Sequence, residues 1–307
     1  MIKKVKNYVE NHHVYKLSVD RLERVMIGYH KVPFLSIVKI FIRKLQSDSL
    51  NIRARAITYS FFLSIFPSII FIFTLIPMIP IEDLDKTILS TLKNFMPDSM
   101  YLSVEETIFD IISIPRKGLL SFGFLFALYN ANNGIISLMD TFNDCYKTID
   151  NRSFIKKIGI SILIILSTII IFAGGSFLQI LFHFLIYTSQ EYFEVFQIHI
   201  ILLFLAKYII LYLIFLINIS VLYYFAPSIH ERWKFFSPGS IIASILCFLF
   251  TVGFNFYINN FNSYNKVYGS IGVLIGILLW IYVTTLVILV GYQINASIDI
   301  AKYRKYH

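Results

Sequence analysis

The chain has 307 residues, 57% of them hydrophobic and 15% charged, with a mean hydropathy of +0.71 and a net charge of +9. A soluble domain carries about 45–50% apolar and about 25% charged residues, and a disordered chain is poorer still in apolar residues. Both are excluded, and a polytopic membrane protein remains.

The first 30 residues carry charges throughout and contain no apolar h-region, so no secretory signal is read and the segment 1–56 is expected to stay in the cytoplasm. Within that segment Val32, Leu35, Ile37, Val38, Phe41, Ile42 and Leu45 fall near helical spacing, with Lys31, Lys39, Arg43 and Lys44 between them. The pattern predicts a basic amphipathic helix, which either lies on an anionic leaflet or packs beneath the bundle.

A hydrocarbon core of about 30 Å needs about 20 apolar residues in a helix. Six stretches qualify: 57–79, 118–139, 158–186, 198–225, 240–258 and 271–296. The expected fold is all-α, a six-helix transmembrane domain over 57–298 followed by a cytoplasmic tail, 299–307. Between the first two spans, residues 81–114 show helical spacing broken at Pro97, which predicts two short amphipathic helices on the extracytoplasmic face.

Basic residues set the orientation. The N-terminal segment, alternate loops and tail sum to +12, the other loops to −4, and Lys207 lies inside the fourth span. Both termini are therefore expected to be cytoplasmic.

Polar residues inside the spans need a reason, because an ionisable group there costs about 2.5–3.5 kcal/mol. Lys207 lies well inside the fourth span, and Asn218 shares its face. Ser176, Gln179 and His183 share one face of the third span, and Asn255 lies in the fifth. These residues either line a hydrated pocket open to the outer side or, for Lys207, snorkel to the interface, with the amides and hydroxyls tying helices together. Pro67 falls inside the first span amid Ser60, Ser64 and Ser68, where a kink is expected. Gly269, Gly272 and Gly276 open the sixth span at spacings that permit close helix packing.

No metal site is read: Cys145 and Cys247 lie in unlike contexts without ligand spacing, and the seven histidines are scattered. No cofactor is expected, and the missing GxxxxGK[ST] pattern excludes ATP hydrolysis. Metal-dependent RNA hydrolysis needs clustered His and carboxylate ligands; without them, neither nucleic acid binding nor enzymatic activity is expected.

Several separated motifs resemble the YihY/BrkB family of bacterial inner-membrane proteins. They are the run from Ala56 to Pro67 containing Tyr59, then Asn143, Tyr146 and Arg152 after the second span, then Tyr224 with Pro227, and Pro238-Gly239. The most specific stretch holds Tyr264, Asn265, Tyr268, Gly269 and Gly272, followed by Trp280, Gly291, Asn295 and Ala296. Gln293 stands where the family commonly has Glu, which removes any carboxylate role there. The resemblance implies six spans with both termini in the cytoplasm. The expected function is transport or translocation of an anionic solute or lipid, the partners being the bilayer and that anion. The alternative is a non-transporting membrane scaffold. Convergence of Lys207, Gln179 and His183 on one cavity would favour transport; separate placement would favour the scaffold.

Overall fold

A computed structural model describes residues 26–27, 32–47, 49–78, 89, 108–109, 116–146, 148–189, 196–229, 233–260 and 263–306. The expected extracytoplasmic helices within 81–114 fall almost wholly outside the described residues, as does most of the segment before residue 32.

Among the described residues, six helices are long and apolar enough to cross a membrane. A short basic helix, α1 (Phe34–Ser47), precedes them. The spanning helices are α2 (Leu50–Leu75), α3 (Lys117–Tyr146), α4 (Phe154–Ser189), α5 (Phe196–Phe225), α6 (Pro238–Asn260) and α7 (Ser263–Tyr306). One turn of 3-10 helix, Ile76–Met78, extends α2. A two-residue antiparallel pairing of β1 (Met26–Ile27) with β2 (Val32–Pro33) is the one addition to the expected all-α architecture among the described residues.

Helices suit the hydrocarbon because every backbone bond closes within the segment. Their ends overrun the apolar runs, since polar residues in water continue a helix that lipid has already fixed. Thus α2 begins at Leu50, and the expected tail continues α7 as far as Tyr306. Local chemistry sets the starts on the loop side. Ser237 caps α6, accepting from the Ser240 amide at 3.2 Å, and Pro238 takes the first helical position, where its missing N–H is harmless. Ser153 plays the same part for α4, its hydroxyl lying 3.4 Å from the Lys156 amide.

The helices pack as a closed ring in chain order, α2 on α3, α3 on α4, onward to α7, which returns to α2. The first residues of α2, α4 and α6 meet the last residues of α3, α5 and α7 at one end, as alternating spans require. That end also carries α1, and it is called the basic end below.

Burial is lopsided. Ala54, Ile57, Leu138, Met139, Phe142, Ile219, Tyr223, Ala243, Leu289 and Tyr292 are all buried, and all lie in the half nearer the basic end. In the distal half, Phe177, Ile180, Phe184, Leu205, Ile209, Phe256 and Ile258 are exposed. Exposure of the consecutive residues 255–258 runs around the whole circumference of α6. Among the described residues, most of the fully buried side chains lie in the half nearer the basic end.

Glycines permit close helix packing in both halves. A Cβ on Gly134 would stand 2.7 Å from the Phe61 ring, and one on Gly123 3.3 Å from the Pro67 carbonyl. Pro67 is buried inside α2 without ending it. Gly272 and Gly276 are buried, and Gly276 meets Phe254 and Ile258 of α6 at ordinary contact distance. The closest approach lies elsewhere, at Gly239 of α6 against Gly291 of α7, where the backbones touch.

Candidate functional site

Polar groups gather at two levels. The first is the basic end, where the α3–α4 connection folds under the bundle. The Asp150 carboxylate receives Arg152 Nε at 2.8 Å and Nη2 at 2.9 Å, a two-pronged pair, and Lys157 Nζ at 3.2 Å. Asn143 Nδ2 donates to the same carboxylate at 2.9 Å, and Asn143 Oδ1 accepts from the Ser228 amide at 2.8 Å. Arg152 Nη2 also donates to the Ala226 carbonyl at 2.9 Å, at the end of α5. Burial alone would raise the Asp150 pKa. The bonds and charge from Arg152, aided by Lys157, outweigh that and hold the carboxyl well below the usual carboxylate range.

A second set of bonds joins α6 to α7. Asn295 Oδ1 accepts from the Gly239 amide at 2.7 Å, and its Nδ2 donates to Ser237 Oγ at 2.7 Å. Beside it, Phe142 stacks on Tyr292 at 4.1 Å and Trp233 lies 5.1 Å from the same ring. Tyr146 and Trp233 both donate to Asp299 Oδ2, at 2.5 and 3.3 Å. Together these contacts form a latch that ties α3, α5, α6 and α7 shut at the basic end.

The motif residues Asn143, Arg152, Gly239 and Asn295 thus act together in closing one end, and Pro227 is buried beside them. Gln293 is fully buried on α7. Trp280 donates to Thr251 at 3.2 Å, linking α7 to α6 in mid-span. Tyr59 is exposed on α2, while the side chains of Tyr264, Tyr268 and Gly269's surroundings fall outside the described residues. Sequence reasoning missed Asp150, Asp299, Ser237 and Tyr292. Only Asp150 left a signal, an acid two residues before Arg152 in a basic loop.

The second level is the distal half. Gln179 and His183, with Ile180 and Phe184, line an open cleft of about 580 Å³ on α4. Lys207 on neighbouring α5 is exposed and is not among that lining. Asn255 on α6 is exposed. Asn218 turns its amide Nδ2 to the Ile214 carbonyl of its own helix at 3.0 Å. The structure therefore brings Gln179 and His183 together, and Lys207, Asn218 and Asn255 are not among the described lining of their cleft.

Helix rise gives the depth. Lys207 precedes Phe225 by 18 residues, about 27 Å at 1.5 Å per residue. That is most of the about 30 Å thickness of a hydrocarbon core. Asn255, 17 residues from Pro238, lies at a similar height, about 26 Å. Gln179 and His183 lie 22 and 26 residues beyond Lys157, roughly 33 and 39 Å, more than that thickness.

Between the two levels, Asn132 Oδ1, Asn218 Oδ1 and Thr284 Oγ1 are buried without a hydrogen-bond partner among the described residues. They sit roughly 10–16 Å above the latch by helix rise. Oxygens orphaned in hydrocarbon each cost several kcal/mol.

A family model described as virulence factor BrkB matches residues 41–306. The ribonuclease-like protein YfkH of Bacillus subtilis is 28% identical over 244 residues, covering 80% of this chain and 88% of that protein. A UPF0761 membrane protein of Psychromonas ingrahamii is 27% identical over 285 residues, covering 91% of this chain and 90% of that protein. No solved structure matches the chain.

Proposed function

The chain belongs to the virulence factor BrkB family of bacterial multi-pass membrane proteins, and from that premise we propose that it moves an anionic lipid across the inner membrane, its basic end facing the cytoplasm. The observation that supports this most is the lopsided bundle. It is latched at the basic end and largely exposed at the other, with Lys207, Gln179, His183 and Asn255 in the distal half.

The same geometry favours a lipid over a free solute. A solute site is an enclosed cavity, whereas Lys207 is exposed and the Gln179–His183 cleft is open. Acyl chains would stay on apolar faces such as Ile180 and Phe184 while a headgroup meets the Lys207 ammonium or, at a separate point, the amide and imidazole of the cleft. The orphan oxygens of Asn132, Asn218 and Thr284 give polar groups or water partners in mid-membrane. Passage then requires the latch to part while the distal half closes, a rocking of helix groups about mid-membrane.

The name of the Bacillus subtilis relative suggests RNA chemistry. Such chemistry needs clustered ligands or bases, and no group of three His, Cys, Asp or Glu comes together among the described residues. We propose a non-enzymatic role on the sequence alone, where the seven histidines are scattered without ligand spacing.

A second reading, a membrane scaffold, is favoured by the absence of Lys207 from the described lining of the Gln179–His183 cleft and by the paired Asp150, Arg152 and Asn143 at the basic end. Lys207→Met separates the two. On the lipid reading the variant folds with unchanged thermal stability, and its lipid movement in reconstituted vesicles falls about tenfold, a loss of about 1.4 kcal/mol of headgroup attraction. Flux identical to that of the parent protein removes Lys207 from the route.

A further inference from the structure

The short helix α1 resolves into three faces. Ile37 and Ile40 are buried in a small cluster with Ala301, flanked by Ile298 and Ile300 of α7. Lys44, on the same face, donates to the Cys145 carbonyl at the end of α3. About 140° round the helix lie Ile42 and Leu45, exposed by 48% and 37%. Lys39 and Arg43 form the third face, next to Ile42, and are exposed as well. The helix contains no acidic residue.

Chain continuity fixes its height. Only residues 48 and 49 separate α1 from α2, which crosses the bilayer. Lys44 on Cys145, and Arg53 on Asp144 at 2.6 Å, tie the α1–α2 junction to the end of α3. The helix therefore lies at the membrane surface, and two of its three faces are unclaimed by the described residues.

We infer that the Ile42–Leu45 face with its Lys39–Arg43 border is a docking surface for the anionic lipid leaflet at the basic end. Ile42 and Leu45 enter the acyl region while Lys39 and Arg43 meet phosphate groups above them, the arrangement of an interfacial helix. Each basic residue near an anionic surface contributes about 1 kcal/mol. Since the opposite face of α1 grips α7, leaflet charge is felt at the helix end that carries Asn295 and Asp299. This does not depend on lipid transport.

The test uses the full-length protein with a bimane probe on Ile42→Cys, the native Cys145 and Cys247 being buried. In vesicles of mixed phosphatidylglycerol and phosphatidylcholine, quenching by a nitroxide on the upper acyl chain is expected to exceed quenching by aqueous iodide by about threefold. A probe on Ser36→Cys, on the basic side of the helix, should show the reverse. Lys39→Gln with Arg43→Gln, or vesicles without phosphatidylglycerol, should lower acyl-chain quenching at position 42 by at least about twofold. Iodide reaching Ile42→Cys as readily as Ser36→Cys overturns the docking surface. Acyl-chain quenching that ignores both lipid charge and the double substitution overturns its preference for anionic lipid.

Discussion

Arg152→Met is expected to destabilise the protein by about 3 kcal/mol, the lower end of the range for breaking a buried ion pair. Both side chains are nearly buried, at 11% exposure for Arg152 and 8% for Asp150. Removing the guanidinium leaves Asp150 charged, with Lys157 and Asn143 as its remaining partners, and it orphans the Ala226 carbonyl. Lys157 keeps the loss from reaching the top of the range. Asp150→Asn in the Arg152→Met background should recover part of it, because the buried charge goes while the Asn143 contact can persist.

The pH dependence has a definite sign. In the parent protein the Asp150 carboxyl is held below its unfolded value. Its stabilisation is therefore complete above the ordinary carboxylate range near pH 4 and lost as pH falls toward the depressed value. In Arg152→Met, burial is no longer outweighed, the carboxyl rises, and protonation relieves the variant as pH falls. The gap in thermal midpoint between the two proteins in detergent should be widest near pH 7 and shrink below about pH 4. A gap independent of pH would mean that the pair is not what Arg152 contributes.

Gly291→Leu should have a larger effect, preventing assembly of the folded bundle. A Cβ at this position already stands 2.6 Å from both the Ala243 Cβ and the Tyr223 hydroxyl, and 2.9 Å from the Gly239 carbonyl. No rotamer of a longer side chain escapes a clash made by its first carbon. Gly291→Ala is expected to cost about 1–3 kcal/mol, the usual range for an overpacked core, and Ala243→Gly should restore part of that by removing one of the three contacts. Gly253→Ala supplies the contrast: nothing lies within 4 Å of its Cβ, so folded yield in detergent should be unchanged or slightly raised. Equal behaviour of Gly291→Ala and Gly253→Ala would contradict the α6–α7 contact.

These two positions show what the sequence revealed and where it fell silent. The six spans were legible because hydrocarbon imposes length and apolarity on every crossing helix. The faces were not, because α4 and α5 are apolar nearly all round and carry no stripe to mark the packed side. Gly272 and Gly276 advertised close packing through their spacing, whereas Gly239 and Gly291 sit on different helices and share no local pattern. Asn143, Arg152 and Asn295 stood out as motif residues, yet their roles needed partners far along the chain, 74 residues in the case of Arg152 and Ala226. Lys207 was legible as an intramembrane charge but not in its depth. An apolar run does not say where the membrane boundary falls along it.

The account rests on movement of an anionic lipid through a bundle latched at one end. Its most direct test reconstitutes the parent protein in vesicles carrying trace NBD-labelled phosphatidylglycerol on both leaflets and adds dithionite, which bleaches only exposed label. The account predicts that bleaching proceeds past the outer-leaflet share, faster for phosphatidylglycerol than for labelled phosphatidylcholine. Bleaching that stops at the outer-leaflet share, as in protein-free vesicles, would contradict it and leave the scaffold reading in its place.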